Sequence, residues 1–354
     1  MTQNALPPRS AGRSSRKPAG AGKGPKKKRP VLRVFLFLIV AVLVVVAVFL
    51  ADLVNKTNNL LDNSSTANNT EVVPVTESVK SKPVGILLLG MDTRPKGGTM
   101  NTDVMMVAAF NPNTKSTTVV SIPRDSLIQL DGYKERKANA YYAAFYTQAL
   151  QEQLETKKLD EAKEAAREEA RDAMSRMMTR YFGIDIKYTA IINFQGFVDV
   201  VDALGGLKVN VDMDMKYTDT ADGTNIDLKK GLQTLNGQQT LDFVRYRKSN
   251  DGTNMSSDFE RNQRESQVLA LITDKMKSLS GVTKLGDVIE AVGNNFTIDM
   301  PTKEMQNMMT TYFGISSSDV SLIQLEGTWR SPYVYLDESK LEEARAALQA
   351  KMAE

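Results

Sequence analysis

A layered domain in which strands alternate with helices, α/β or mixed α+β, carried behind one membrane-spanning helix, is the architecture the sequence predicts. Residues 34–54, VFLFLIVAVLVVVAVFLADLV, form an apolar run of bilayer length. VGILLLG, from Val84, is nearly continuous apolar sequence of the length of a strand buried on both faces. Beyond it, Ala-, Glu-, Lys- and Arg-rich stretches with apolar residues at helical spacing alternate with further short apolar runs.

The first element follows from charge and length together. Residues 1–33 hold ten basic side chains and no acidic one, which leaves the remainder with 35 basic against 42 acidic residues, net −7. The run 34–54 is uniformly apolar through Leu50, with Asp52 its one charge. At ~1.5 Å per residue it reaches across a hydrocarbon layer of ~30 Å. A cleaved signal peptide is the rival reading, but its apolar region is shorter and ends in a small-x-small site, which is absent here. A retained anchor places the basic tail in the cytoplasm and the rest outside, as a single-pass protein of the cell membrane. In that topology the Pro/Gly/Ser-rich basic tail, 1–33, is a disordered topogenic or lipid-binding segment, and no nucleic-acid partner is expected.

Residues 55–82, rich in Asn, Thr and Ser, read as an extracytoplasmic linker, and residues 83–336 as one folded domain closed by a helix over 337–354. Within the domain, VMMVAAF (104–110) and TTVVSIP (117–123) are strands of a hairpin across the turn NPNTKS. Long helices cover 140–181, where the charge run DEAKEAAREEARD is a solvated face. KYTAIINF is a strand, FVDVVDAL a helix stopped by Gly205 and Gly206, and LKVNVDM the next strand. LNGQQTLDFVRYR is a short helix running into arginines, and a long helix starts near Ser257 or Asp258.

The chain has no histidine and no cysteine, which removes imidazole proton shuttles, thiol nucleophiles and soft metal ligands from consideration. What remains is carboxylates and arginines in unusual places. GMDTRPKGGTMNTDV (90–104) sets Asp92 and Asp103 on either side of a glycine-rich loop, directly after a strand. Arg94 lies in that segment, Arg124 in SIPRD, Arg245 and Arg247 in RYR, and Arg261 and Arg264 in FERNQRE. Taken singly, each has an ordinary explanation: a helix start at Pro123, an exposed strand end at RYR, surface pairs on a helix. Together they suit phosphate, because guanidinium groups clamp phosphate oxygens in pairs, and separated aspartates are hard ligands of the kind Mg²⁺ takes. Such a cage stabilises charge in phosphoryl transfer without a histidine.

The segments GMDTR, TDVMMVAAFN, SIPRD, VDALGGLKVNV, G-x-x-x-L-N-G-x-x-x-L-x-x-V-R-Y-R and D-F-x-R-x-x-R, in that order behind a single anchor, resemble the LytR-CpsA-Psr family of cell-wall ligases over about residues 84–335. The resemblance implies an α/β fold, a central mixed β-sheet flanked by helices, and an apolar pocket for a polyprenyl-pyrophosphate-linked glycopolymer. It implies a Mg²⁺-dependent (or Mn²⁺-dependent) phosphotransferase of the Gram-positive type of wall, joining teichoic acid, capsule or a related anionic polymer to a peptidoglycan hydroxyl and releasing polyprenyl phosphate. By matching positions, Asp92 and Asp103 hold the metal. Arg94, Arg124, Arg245, Arg247, Arg261 and Arg264 surround the pyrophosphate. Asp92 and Arg124 are the catalytic candidates, and Tyr141, Tyr142 and Phe145 fall near the pocket entry.

Two positions depart from the family pattern. Asn101-Thr102-Asp103-Val104 stands where the family often has Arg-Ser/Thr-Asp-Thr, and Glu265 stands where it often has Gln after Arg264. Ile191, Phe194, Phe197, Val198 and Val201 are expected as core. A hydrolase acting on the same lipid pyrophosphate and a non-enzymatic membrane-anchored regulator are the alternatives, and the sequence does not separate them.

Overall fold

The computed structural model describes residues 62, 65–67, 72–91, 100–220, 223–277, 288, 291–312 and 315–354. The basic tail, the apolar run 34–54, Asp92 and Arg94 lie outside these. Among the described residues, no helix is long and apolar enough to cross a membrane.

A mixed six-stranded sheet organises the chain. Its strands are β1 (Val84–Met91), β2 (Thr102–Asn111), β3 (Ser116–Ser121), β6 (Ile186–Asn193), β11 (Phe296–Ile298) and β12 (Val320–Gln324), in the order β11-β6-β1-β2-β3-β12. β1, β2 and β3 run antiparallel as a meander, while β6 lies parallel to β1 and β12 parallel to β3. The two parallel neighbours require long crossovers, and the helices between them cover the sheet on both faces. The apolar run from Val84 is therefore buried on both sides, and its pairing with the expected hairpin runs from Val84 opposite Phe110 to Leu89 opposite Met105.

On one face, Leu87, Leu89, Met105, Val107 and Val120 meet three helices: α1 (Tyr141–Gln153), α2 (Leu159–Phe182) and, from the C-terminus, α7 (Glu338–Ala353). α2 ends at Gly183, whose φ of 67° supplies the left-handed cap a Cβ would strain. The charge run of α2 is solvated on one side, with i,i+3 pairs such as Lys163–Asp160, while Ala162, Ala166 and Ala170 are buried. Arg171 departs from that pattern: it turns inward to Asp299, 3.3 Å away, which also accepts from the Thr189 amide. Burial pushes the Asp299 carboxyl up to about 6, against the opposing effects of that amide and of Arg171.

The other face carries a second cluster built by α6 (Thr302–Tyr312) and a smaller subdomain. The subdomain consists of α3 (Phe194–Ala203), β7 (Leu207–Val211), the hairpin β8 (Met215–Asp219) and β9 (Thr224–Leu228), β10 (Gly231–Leu235), α4 (Gly237–Arg245) and α5 (Asp258–Lys277). Val201, Val209, Met215, Leu235 and Phe243 form its separate core. A short pair, β4 (Leu127–Ile128) with β5 (Arg136–Lys137), and a hairpin, β13 (Gly327–Arg330) with β14 (Tyr333–Leu336), complete the chain.

Part of the expected linker belongs to the folded unit. Ser78 and Val79 are buried, and Glu304 of α6 takes the Ser78 hydroxyl at 2.9 Å and the Val79 amide at 2.8 Å, with Asn307 donating at 2.6 Å. Thr66 donates its amide to the carbonyl of Ile298. A polar stretch joins the domain here because its backbone groups satisfy a buried carboxylate and a sheet edge, which composition does not report.

The LNG segment shows how sequence sets the entry to α4. Asn236 caps the helix by accepting from the Gln239 amide at 2.8 Å, and the Gln239 side chain accepts from the Asn236 amide at 3.1 Å. A Cβ on Gly237 would stand 2.2 Å from the Val198 carbonyl oxygen, so α3 and α4 approach this closely only through glycine. Gly237→Ala should therefore cost ~1–3 kcal/mol of stability by prying the two helices apart. Urea unfolding checks this, and an unchanged midpoint would contradict the packing described.

Candidate anion-binding cavity

Between the sheet and the subdomain lies a cavity of ≈ 810 Å³. Its body is apolar: Leu88, Met106 and Ala190 from the sheet, Phe197 from α3, Leu241 from α4 and Val268 from α5 all line it. Strand alternation explains the sheet side, since Leu87, Met105 and Val107 point to the opposite core while Leu88, Val104 and Met106 point into the cavity.

Charged groups gather on the same wall. Asp103, near the start of β2, accepts from Arg124 Nη1 at 2.7 Å, and the two side chains keep 25% and 26% of their surface. SIPRD does not start a helix. It makes a turn in which the Ser126 amide donates to the Pro123 carbonyl at 3.0 Å, and the Asn139 amide donates to the Arg124 carbonyl at 3.0 Å. Asp125 anchors that turn from below: it is buried, takes Lys137 Nζ at 2.9 Å and lies 3.6 Å from Arg124 Nε.

After α4 the backbone becomes extended at Tyr246, whose buried ring and hydroxyl, bonded to Ser249 at 2.8 Å, face the subdomain core. Arg245 and Arg247 line the cavity together with Val244, Tyr246 and Lys248, and the Arg245 guanidinium lies 4.6 Å from the centre of the Phe194 ring. Asp242, one turn before Arg245, also lines it; burial raises its carboxyl, offset by the Gln238 amide and by Arg245.

Arg261 and Glu265 project from successive turns of α5 into the same space. Burial, and then the like charge of Arg124, push Arg261 below its ordinary value, while Glu265, Asp125 and Asp103 oppose this. A guanidinium stays charged in any protein, so these two cations are held together at an electrostatic cost that an anionic ligand would relieve. Burial raises Glu265 to about 7; Arg261 and Arg124 pull it down, and Asp103 pushes it further up. Near neutral pH this carboxyl is partly protonated, which explains how an acid is tolerated beside an anion site.

Of the residues expected from sequence, the structure brings together Asp103, Arg124, Arg245, Arg247 and Arg261, and it also brings in Asn101 and Glu265. Arg264 is not among the cavity-lining residues. It is 3% exposed, and its fork grips Asp212 through Nε at 2.8 Å and Nη2 at 2.7 Å, with Nη1 on the Tyr246 carbonyl at 3.3 Å. Three residues after Arg261 on the helix, it points to the subdomain core instead.

Two aromatic expectations exchange places. Tyr141 and Tyr142 are buried in the large core rather than at the cavity entry, and Phe145 packs against that core. Phe194 and Phe197, expected as core, line the cavity, whereas Ile191 packs against the large core and Val201 lies in the subdomain core. The hairpin β8–β9 was missed by sequence reasoning, yet Tyr217, Asp219, Thr224 and Ile226 line the cavity. Its signal was present: MKYTD and TNIDL are short segments around Asp222-Gly223.

A cavity of this size with an apolar body and arginines on its wall has the chemistry to hold an amphiphilic anion. The chain belongs to the LytR_cpsA_psr family, whose model matches residues 47–350. It is similar to polyisoprenyl-teichoic acid–peptidoglycan teichoic acid transferase TagV of Bacillus subtilis (strain 168), 27% identical over 328 residues, covering 90% of this chain and 78% of that one. The corresponding transferase TagT of the same organism is 31% identical over 277 residues, covering 75% of each chain. The crystal structure of B. subtilis TagV superposes with a TM-score of 0.58 at 27% identity, over 78% of this chain and 99% of that one.

Two measurements test the site's electrostatics. Arg264→Ala should lower the unfolding free energy by ~2–4 kcal/mol, because it strips a buried cation from its partners. Arg261→Ala should change it by no more than ~1 kcal/mol, since it also removes repulsion from Arg124. Urea denaturation of both variants decides this, and equal losses would refute the division of roles.

For Glu265 the folded value is raised, so the folded state holds a proton that the unfolded state has lost between about pH 4.5 and 7. Stability therefore falls as pH rises through that window, by at most ~3 kcal/mol. Glu265→Gln should add stability at pH 8 and little at pH 4.5. A difference curve between the two proteins that is flat in pH would contradict the burial of this charge.

Proposed function

We propose that this chain is a membrane-anchored, extracytoplasmic phosphotransferase. It moves an anionic glycopolymer from a polyprenyl-pyrophosphate carrier to a peptidoglycan hydroxyl; the names of its relatives describe transfer of teichoic acid from polyisoprenyl-teichoic acid to peptidoglycan. The observation that carries the reading is that Arg124, Arg245, Arg247 and Arg261, beside Asp103, line one cavity whose remaining surface is largely apolar. A polyprenyl chain suits the apolar body, and a pyrophosphate suits the guanidinium groups.

In this reading the acceptor hydroxyl oxygen attacks the sugar-proximal phosphorus. A new P–O bond joins polymer phosphate to peptidoglycan, the bond to the bridging oxygen breaks, and polyprenyl phosphate leaves. The hydroxyl proton passes to a carboxylate, for which Asp92 is the candidate. Little basicity is needed, since the transition state is loose and its charge lies on the phosphoryl oxygens. Arg124, oriented by Asp103 and Asp125, is placed to neutralise that charge, with Arg245, Arg247 and Arg261 holding the ground-state pyrophosphate.

A divalent metal fits the donor set in part. Asp103 is a hard carboxylate ligand on the cavity wall, while no group of three or more metal-ligating side chains occurs among the described residues. Mg²⁺ needs only one or two carboxylates when phosphate and water complete its shell. Asp103, with Asp92 of the neighbouring segment, would hold Mg²⁺ or Mn²⁺, which would supply further neutralisation of phosphate charge. The run 34–54 would anchor the domain where both lipid carrier and wall are reached.

Arg124→Ala and Asp103→Ala should each reduce transfer at least ~100-fold while the protein stays folded. The assay is the purified protein with divalent metal, lipid-linked polymer and peptidoglycan oligomers, scored for coupled product. Free polymer phosphate without coupled product would show a hydrolase instead. Full activity in both variants would leave only a non-catalytic role.

A further inference from the structure

The hairpin β13–β14 carries the chain's single tryptophan and leaves it half in solvent. Trp329 is 52% exposed and Tyr335 38%. Cross-strand partners share a face, so Trp329 lies on the side of buried Val334, while Tyr335 and Arg330 lie on the other. The Arg330 guanidinium sits 5.3 Å from the Tyr335 ring centre, and Tyr333 meets Tyr335 edge-on at 6.5 Å. A two-stranded ribbon gains nothing in folding from aromatic surface left in water, so the exposed rings point to a ligand.

What ties this hairpin to the cavity is a continuous set of contacts. The Val334 amide donates to the Asp125 carbonyl at 2.9 Å. Lys137 Nζ stands 5.6 Å from the Trp329 ring centre and donates to Asp125 Oδ1 at 2.9 Å. Asp125 is in turn 3.6 Å from Arg124, which holds Asp103. The indole is thus fixed through one lysine and one aspartate to the guanidinium on the cavity wall.

We propose that Trp329, with Lys137 beside it, forms a subsite for the acceptor glycan, stacking a pyranose ring of the peptidoglycan strand and delivering its hydroxyl toward Arg124. The inference rests on the transferase reading. A polymeric saccharide cannot enter an apolar cavity already filled by the donor's lipid, so it must lie on the adjoining surface. The weakly positive C–H face of a pyranose fits the negative face of an aromatic ring. Lys137, shared with Asp125, gives that surface a cation complementary to the carboxylates of an N-acetylmuramyl strand and its peptides. A membrane interface is the other surface that takes exposed Trp and Tyr, and the test separates it.

Because Trp329 is the only tryptophan in the chain, its fluorescence reports occupancy without any turnover. Full-length protein in detergent, titrated with soluble peptidoglycan glycan oligomers, should show a saturable change in tryptophan emission. Trp329→Ala should raise the acceptor KM ~10-fold or more and leave the donor KM unchanged, with Trp329→Phe recovering most of the loss. Thermal unfolding of both variants confirms folding. Emission that ignores the oligomers, together with an unchanged acceptor KM, overturns the subsite while leaving transfer intact. Emission that responds although no coupled product forms keeps the subsite and rejects the transferase reading instead. Emission that shifts with anionic lipid vesicles and not with glycan assigns the hairpin to the membrane and overturns the proposal.

Discussion

Arg124 and Arg261 face the same space, and the like charge between them is the constraint on which the site depends. Neither can shed its proton, so their proximity must be offset by neighbours or by a ligand. Asp103 and Asp125 do part of this for Arg124, at 2.7 and 3.6 Å. For Arg261, Glu265 is the largest opposing influence, ahead of Asp125 and Asp103, although burial raises its own carboxyl to about 7. In the proposed function a pyrophosphate would add further negative charge beside these guanidinium groups.

The apolar part of the cavity is a consequence of how the sheet is covered. One face is sealed by three helices, with Met174, Met177, Met178 and Phe182 filling the space against β1 and β2. The other face is covered by a subdomain that has its own core around Val209 and Phe243, so it stands against the sheet without merging into it. The space between is lined by Leu88, Met106, Val268 and Ile272 and is closed by the β8–β9 hairpin. Arg264 belongs to this architecture: its grip on Asp212 and the Tyr246 carbonyl ties α5 to the end of β7 and to the RYR segment, and so orients the arginines that do line the cavity.

Much of this was legible in the sequence where local rules act alone. The continuous apolar run of β1, the hairpin of β2 and β3, the short helix in LNGQQTLDFVRYR and the glycine stop after α3 follow from periodicity and capping chemistry. Arg245 and Arg247, expected at the site from the family resemblance, do line the cavity, and Tyr246 between them lines it too. Contacts set by tertiary packing were not legible. Nothing in FERNQRE says that Arg261 lines the cavity with Arg124 while Arg264, three residues on, finds Asp212 across 52 positions. Nor does hydrophobicity distinguish Tyr141, which fills the core, from Phe197, which walls a cavity, because both are simply withdrawn from water. The loop that carries Asp92 and Arg94 lies outside the described residues, so their part in the site rests on sequence resemblance.

In the proposed function one ligand would occupy both halves of the cavity, its lipid among Leu88, Phe197 and Val268 and its phosphates at Arg124 and Arg261. The most direct measurement is a crystal structure of the folded domain grown with polyprenyl pyrophosphate and Mg²⁺. Density is expected for the lipid inside the cavity, with phosphate oxygens within hydrogen-bonding distance of both guanidinium groups. Density for the lipid elsewhere, or phosphates that leave Arg124 and Arg261 untouched, would contradict that reading.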